Sequence, residues 1–253
     1  MLSTTTGATN RILTDNTSSV HTLLVLPTGE LASSSYGDLT IKIWNAQSGQ
    51  LIKTLRGHHS FVTKLAVLPS GQLASASRDK TIQLWNVQTG QTERILTGHT
   101  SWVYSLAVLS NGDLASGSKD TTILVWNKTN GEIKSNLTGH TDSVSSLVLL
   151  PNGELASGSS EIRIWNLRSG QTKQVFKGHT GIIWDLLALP DGQLASASLD
   201  CTIRIWQPET AQLIQTLTGH TGEVYALAML PSGQPGQMVS SGYDGTVRIW
   251  SRQ

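Results

Sequence analysis

Four times along this 253-residue chain a histidine, a serine, an aspartate and a tryptophan recur in the same order. The sets are His58, Ser75, Asp79 and Trp85, then His99, Ser116, Asp120 and Trp126, then His179, Ser196, Asp200 and Trp206, and finally His220, Ser240, Asp244 and Trp250. Serine, histidine and aspartate are the parts of a nucleophilic hydrolase, in which an oriented base activates a hydroxyl. Repetition argues against that chemistry. A triad is needed once, with an oxyanion hole and a nucleophile on a strained turn. No Gly-x-Ser-x-Gly elbow occurs in the chain. A constellation copied four times serves four equivalent structural positions, so these residues are expected to hold the fold, and the chain is not expected to be an enzyme. There is no Walker-type glycine loop, no Gly-x-Gly-x-x-Gly opening a helix and no paired-cysteine zinc spacing. His58-His59 is the only adjacent histidine pair, and His58 belongs to the repeated set. No metal or cofactor is expected.

The elements that position these residues follow from the tryptophans. Trp44, Trp85, Trp126, Trp165, Trp206 and Trp250 are separated by 41, 41, 39, 41 and 44 residues. One supersecondary unit built six times, each copy unable to bury its apolar face alone, has that signature. The second unit shows the layout. Val62 to Leu68 is an apolar-rich run closed by Pro69-Ser70-Gly71. Gln72 to Ser77 leads to a tight turn at Arg78-Asp79-Lys80, Thr81 to Asn86 follows, and Gln88-Thr89-Gly90 turns the chain into Gln91 to Leu96. These are four short strands with turn residues between them. No window carries a helical period.

Composition narrows the class further. Charged residues make up only 14% of the chain and the net charge is +1. Lys and Arg are scattered, so there is no electrostatic footprint for nucleic acid or an anionic membrane. Cys201 is the only cysteine, which rules out an intrachain disulfide. The start of the chain is polar, no apolar run approaches the length of a membrane span, and a cytoplasmic location is expected. Three sequons, at Asn16, Asn127 and Asn136, read as chance matches in a Ser/Thr-rich chain.

Gly-His pairs open five of the units, at Gly57-His58, Gly98-His99, Gly139-His140, Gly178-His179 and Gly219-His220. Together with the Ser-x-Ser-x-Asp turns and the periodic tryptophans, this pattern resembles the WD-repeat family of β-propellers over residues 9 to 253. The family's Trp-Asp dipeptide never occurs; Trp is followed by Asn four times, then by Gln207 and Ser251. The resemblance implies an all-β, six-bladed β-propeller of four-stranded antiparallel blades. The whole chain, 1–253, would form one such domain with repeats at about 15–56, 57–97, 98–138, 139–177, 178–218 and 219–253. The last unit stops three residues after Trp250, and Asn10-Arg11-Ile12-Leu13-Thr14 reads like the fourth strand of the second unit. A closing strand over 9–14 beside Trp250 is therefore expected, leaving no open sheet edge. In propellers of this kind the His, Ser, Asp and Trp form a buried hydrogen-bond chain. Two units depart from it. The first has Asp15-Asn16 where Gly-His belongs and an extra residue near Tyr36-Gly37. The fourth is two residues short, so Ser159-Ser160-Glu161 replaces the Asp-bearing turn and leaves His140, Ser157 and Trp165 without an acceptor. The fourth blade is expected to be the least stable.

The resemblance also implies which positions face a partner. The fifth residue from each Gly-His gives Ser19, Phe61, Trp102, Ser143, Ile182 and Glu223, and the seventh gives His21, Thr63, Tyr104, Ser145, Trp184 and Tyr225. The residue before each network Asp gives Gly37, Arg78, Lys119, Leu199 and Tyr243. Trp102 and Trp184, the two tryptophans outside the repeat signature, both fall here. The expected partner-binding residues are Phe61, Arg78, Trp102, Tyr104, Lys119, Trp184, Tyr225 and Tyr243. Aromatics and Arg grouped on a concave surface are the substance of binding hot spots. Trp184 and Tyr225 could instead plug a channel. The expected function is a monomeric scaffold that docks a protein or peptide. The alternatives are a purely structural or consensus-like propeller, suggested by the near-copies Leu73-Ala-Ser-Ala-Ser77 and Leu194-Ala-Ser-Ala-Ser198, or a sensor domain of a larger signalling protein.

Overall fold

A computed structural model describes residues 12–14, 18–230 and 237–251. It is all β, with no helix among the described residues. Two compact units divide the chain at Leu106/Ala107.

The first unit holds a sheet of β1 (Val20–Val25), β2 (Leu31–Ser35), β3 (Thr40–Trp44) and β4 (Leu51–Arg56), ordered β1-β2-β3-β4. A second sheet, β5-β6-β7-β8, is built from β5 (Val62–Val67), β6 (Leu73–Ser77), β7 (Ile82–Asn86) and β8 (Gln91–Leu96). The third sheet comprises β9 (Val103–Val108), within which the boundary falls, β10 (Leu114–Ser118), β11 (Ile123–Trp126) and β12 (Ile133–Leu137). In the second unit follow β13 (Ser146–Leu149), β14 (Leu155–Gly158), β15 (Ile162–Asn166) and β16 (Gln171–Phe176), then β17 (Ile183–Ala188), β18 (Leu194–Ser198), β19 (Ile203–Gln207) and β20 (Gln212–Leu217). The sixth sheet has three strands, β21 (Val224–Met229), β22 (Met238–Gly242) and β23 (Val247–Trp250). All pairings between neighbouring strands are antiparallel meanders. This is an all-β, six-bladed propeller. Residues 9–11 of the expected closing strand lie outside the described residues, and Ile12–Thr14 belong to no strand.

Alternation along each strand fills the space between consecutive blades. In the first unit Ala32, Ile41, Ile43 and Leu55 of one sheet pack with Val62, Leu65, Leu73 and Trp85 of the next. In the second unit Ile162, Ile164 and Phe176 meet Ile183, Leu186, Leu194 and Trp206 in the same way. The outermost faces lack such cover. Val247 and Ile249 on β23 are 72% and 62% exposed, against 0% and 7% for their counterparts Ile203 and Ile205.

Three local devices set the register. A bulge early in the innermost strand skips His21, Thr63, Trp184 and Tyr225, turning those side chains out of the ladder. The Asn that stands where the family has Asp caps the turn to the fourth strand. Asn45 Oδ1 accepts from the N–H groups of Gln47 and Ser48 at 2.9 and 2.8 Å, and Asn166 does the same for Arg168 and Ser169 at 3.0 and 3.1 Å. That amide oxygen does the work of a carboxylate here.

The third device carries strain. The residue after the network Asp is left-handed, at φ 74° for Lys80, 70° for Thr121 and 67° for Cys201, while the sixth sheet has Gly245 at 73°. A β-branched side chain is the costliest occupant of that region. Thr121→Gly should therefore raise stability by about 1 kcal/mol, against the usual entropic cost of glycine. A urea midpoint below that of the parent protein would contradict this.

Candidate functional site

The repeated set is a hydrogen-bond relay in the sheets. Asp79 Oδ2 lies 2.7 Å from His58 Nδ1, His58 Nε2 lies 2.7 Å from Ser75 Oγ, and Trp85 Nε1 donates to Ser75 Oγ at 2.8 Å. His179, Ser196, Asp200 and Trp206 repeat these contacts at 2.7, 2.7 and 2.8 Å. His220, Ser240, Asp244 and Trp250 do so at 2.9, 2.7 and 2.8 Å. In the third sheet Trp126 donates to Ser116 at 2.8 Å and Asp120 holds Thr122, with His99 buried. An ionised carboxylate only accepts, so the histidine proton sits on Nδ1. Nε2 then accepts from the serine hydroxyl, whose lone pair accepts from the indole.

The aspartate does more than hold histidine. Its second oxygen takes both the N–H and the hydroxyl of the threonine two residues on, at 2.9 and 2.6 Å for Thr81 and 3.0 and 2.6 Å for Thr202. Oδ2 also accepts from the backbone after the histidine, His59 at 2.9 Å and Thr180 at 3.1 Å. Burial alone would raise the Asp79 pKa, but the hydrogen bonds from His58 and Thr81 outweigh it and hold the group well below the usual carboxylate range. Thr81, Thr122, Thr202 and Thr246 were not among the expected site residues, although Asp-x-Thr recurs in all four turns.

No substrate can use this serine. Ser75, Ser116, Ser157 and Ser196 are all fully buried, and each accepts a tryptophan N–H. Among the described residues no cluster of three His, Cys, Asp or Glu could hold a metal.

The two irregular sheets differ in kind. In the first, Lys42 Nζ pairs with Asp38 Oδ2 at 3.0 Å, supplying a cation where histidine is missing, and Trp44 still donates to Ser33 at 2.8 Å. In the fourth, His140 Nε2 reaches Ser157 at 2.6 Å and Trp165 donates to Ser157 at 2.7 Å, but His140 Nδ1 is buried with no partner. Glu161 is paired with Arg163 instead. Burial, then the charge of Arg163, pushes the His140 pKa down to about 4. Among the four-stranded sheets, β13–β16 should show the fastest amide hydrogen exchange. Finding them the best protected would refute this.

Of the residues expected to meet a partner, the first unit brings four together. Arg78 N–H donates to the Phe61 carbonyl at 2.9 Å, which ties the β6–β7 turn to the segment before β5. The Arg78 guanidinium carbon lies 4.5 Å from the Trp102 ring centroid, 4.9 Å from Tyr36 and 5.6 Å from Phe61. Tyr36 stacks on Phe61 at 4.5 Å, and Trp102 meets Tyr104 edge-on at 6.2 Å. Tyr36 is an unexpected member. Its N–H donates to the Ser19 carbonyl at 2.9 Å as that of Arg78 does to Phe61, so Tyr36 and not Gly37 holds the position equivalent to Arg78. The extra residue in that turn hid the equivalence. His21 packs edge-on to Tyr36 at 5.9 Å; desolvation of its ring, then the charges of Arg78 and Lys64, lower its pKa.

In the second unit Tyr243 N–H donates to the Glu223 carbonyl at 2.8 Å, the same register again. Trp184 Nε1 donates to Glu223 Oε2 at 3.1 Å, Trp184 and Tyr225 lie 6.2 Å apart, and Tyr225 meets Tyr243 edge-on at 6.3 Å. Tyr225 and Tyr243 are 42% and 75% exposed. Lys119 is exposed on the β10–β11 turn.

Comparison with known proteins bears on the class. The family model described as WD domain, G-beta repeat, matches residues 7–45, 49–86, 90–127, 131–166, 170–207 and 211–251. The chain belongs to the WD-repeat family. It is 41% identical over 68 residues to the U3 small nucleolar RNA-associated protein 15 homolog of Xenopus tropicalis, covering 26% of this chain and 13% of that protein. It is 43% identical over 44 residues to the nuclear distribution protein PAC1 of Coprinopsis cinerea, covering 17% of this chain and 10% of that protein. The matched stretch is thus a small part of either relative.

Proposed function

We propose that this propeller is a non-catalytic interaction scaffold whose aromatic cluster docks a peptide or protein loop. The observation that carries the reading is the gathering of Tyr36, Phe61, Arg78 and Trp102 on loops and turns, with Tyr104 of β9 against Trp102. None of these residues belongs to the relay, and none is fully buried. Rigid aromatics and a braced Arg offer much contact area with little side-chain entropy left to lose. Family membership supports the same role, since WD propellers generally act as platforms in assemblies. Within the second unit, Tyr225 and Tyr243 form an exposed aromatic pair of their own, with the Tyr243 N–H on the Glu223 carbonyl.

Trp102→Ala combined with Tyr104→Ala should abolish capture of a partner from a cell lysate while moving the melting temperature by no more than a few degrees. Each truncated anchor of this kind removes about 2 kcal/mol of binding or more. Unfolding of the double variant, or undiminished capture, would sink the assignment.

A further inference from the structure

The chemistry presented by the first unit's cluster can be specified more closely. Arg78 is held by three ring faces and makes no salt bridge among the described residues. The nearest acids along the chain are already committed. Asp79 accepts from His58, His59 and Thr81, and Asp38 from Ser35 and Lys42. Arg78 Nε is shielded and has no hydrogen-bond partner, whereas its two terminal nitrogens are not among the buried, partnerless atoms. The guanidinium therefore has its plane fixed by aromatics and its terminal fork left in water. Lys64, exposed on β5, places a second positive charge near His21 as Arg78 does; burial first, then these two charges, lower the His21 pKa.

Resting on the scaffold reading above, we propose that the fork of Arg78 is the receptor for a side-chain carboxylate of an acidic peptide segment, with Tyr36, Phe61 and Trp102 as its rigid seat. A planar fork fixed in advance suits bidentate carboxylate pairing. Charge complementarity selects an acidic occupant and excludes a basic one. A nucleic acid would need a stripe of phosphate contacts, whereas the cations felt at His21 are Arg78 and Lys64 alone.

The test uses the whole chain and a phage-displayed random 12-residue peptide library, with retained peptides then measured by fluorescence anisotropy. Peptides displaced by the Trp102→Ala/Tyr104→Ala pair should share an Asp or Glu. Changing that residue to Asn or Gln should weaken binding to the parent protein about ten- to a hundredfold. The same change should cost little on Arg78→Met, whose thermal melt shows whether it is folded, while Arg168→Met, a charge control on the exposed β15–β16 turn, should behave as the parent. Retained peptides that depend on Trp102 and Tyr104 but ignore both Arg78 and their own acids would overturn the carboxylate receptor alone. Tighter binding of a single-stranded oligonucleotide at the same residues would overturn it too. A library yielding nothing sensitive to Trp102 and Tyr104 would bring down the scaffold reading and this proposal with it.

Discussion

Replacing Asp79 with alanine should cost about 3–5 kcal/mol and lower the melting temperature by roughly 10 °C. Four hydrogen bonds converge on that carboxylate, from His58 Nδ1, the His59 N–H, and the N–H and hydroxyl of Thr81. Removing it leaves the His58 N–H without its acceptor in a site where its side chain is 1% exposed. An abandoned buried donor carries its full desolvation penalty, which exceeds the net worth of the lost bond. The cost should also be graded. Asp79→Asn keeps one oxygen for the threonine turn and should fall well short of the alanine value. A urea titration showing less than about 1 kcal/mol lost in Asp79→Ala would mean that the relay adds nothing beyond packing.

Lowering the pH from 7 to 5 should remove about 2 kcal/mol of stability through His140 alone. Its folded pKa, about 4, lies below the unfolded value near 6.5. Between those values the unfolded chain binds a proton that the folded chain refuses, so stability is complete above about pH 6.5 and falls as pH drops toward 4. The refusal has a structural source. Nδ1 has no acceptor, burial disfavours the imidazolium, and Arg163 repels it. His179 is lowered in the same direction, first by burial, although Asp200 opposes the shift. Asp79 and Asp200, held below their usual range, begin to lose their contribution only below about pH 4, outside this window. Comparing chemical denaturation of the parent and His140→Leu at both pH values isolates the one group. Identical slopes against pH would contradict the prediction.

Much of this architecture was readable because the repeat is strict. Strand limits taken from turn residues in the second repeat differ from the observed ones by a single residue at Leu68, Gln72 and Thr81. The relay was legible for a similar reason, since the first three His, Ser, Asp and Trp sets keep constant offsets. What escaped were contacts that depend on irregularity. Tyr36 sits one residue out of phase with Arg78, so its stacking on Phe61 cannot be found by counting. Lys42 pairs with Asp38 from a strand position that other sheets fill with Gln83, Leu124 or Arg163. The threonine two residues after each network Asp repeats with the aspartate itself, but that its hydroxyl and N–H both close on that carboxylate is a matter of turn geometry and not of spacing. Of the closing strand expected over 9–14, residues 9–11 lie outside those described and Ile12–Thr14 join no sheet.

The turn between the second and third strands separates what must stay from what can change. Its aspartate and threonine clamp each other and the preceding loop, yet the side chain just before the aspartate takes no part in that clamp. Arg78, Lys119, Leu199 and Tyr243, with Tyr36 at the equivalent place one residue earlier in its longer turn, show how freely that slot is filled. Wherever the Asp-bearing turn is kept, the blade thus carries an interchangeable side chain on a fixed frame, and exchanging that side chain leaves the clamp beneath it untouched.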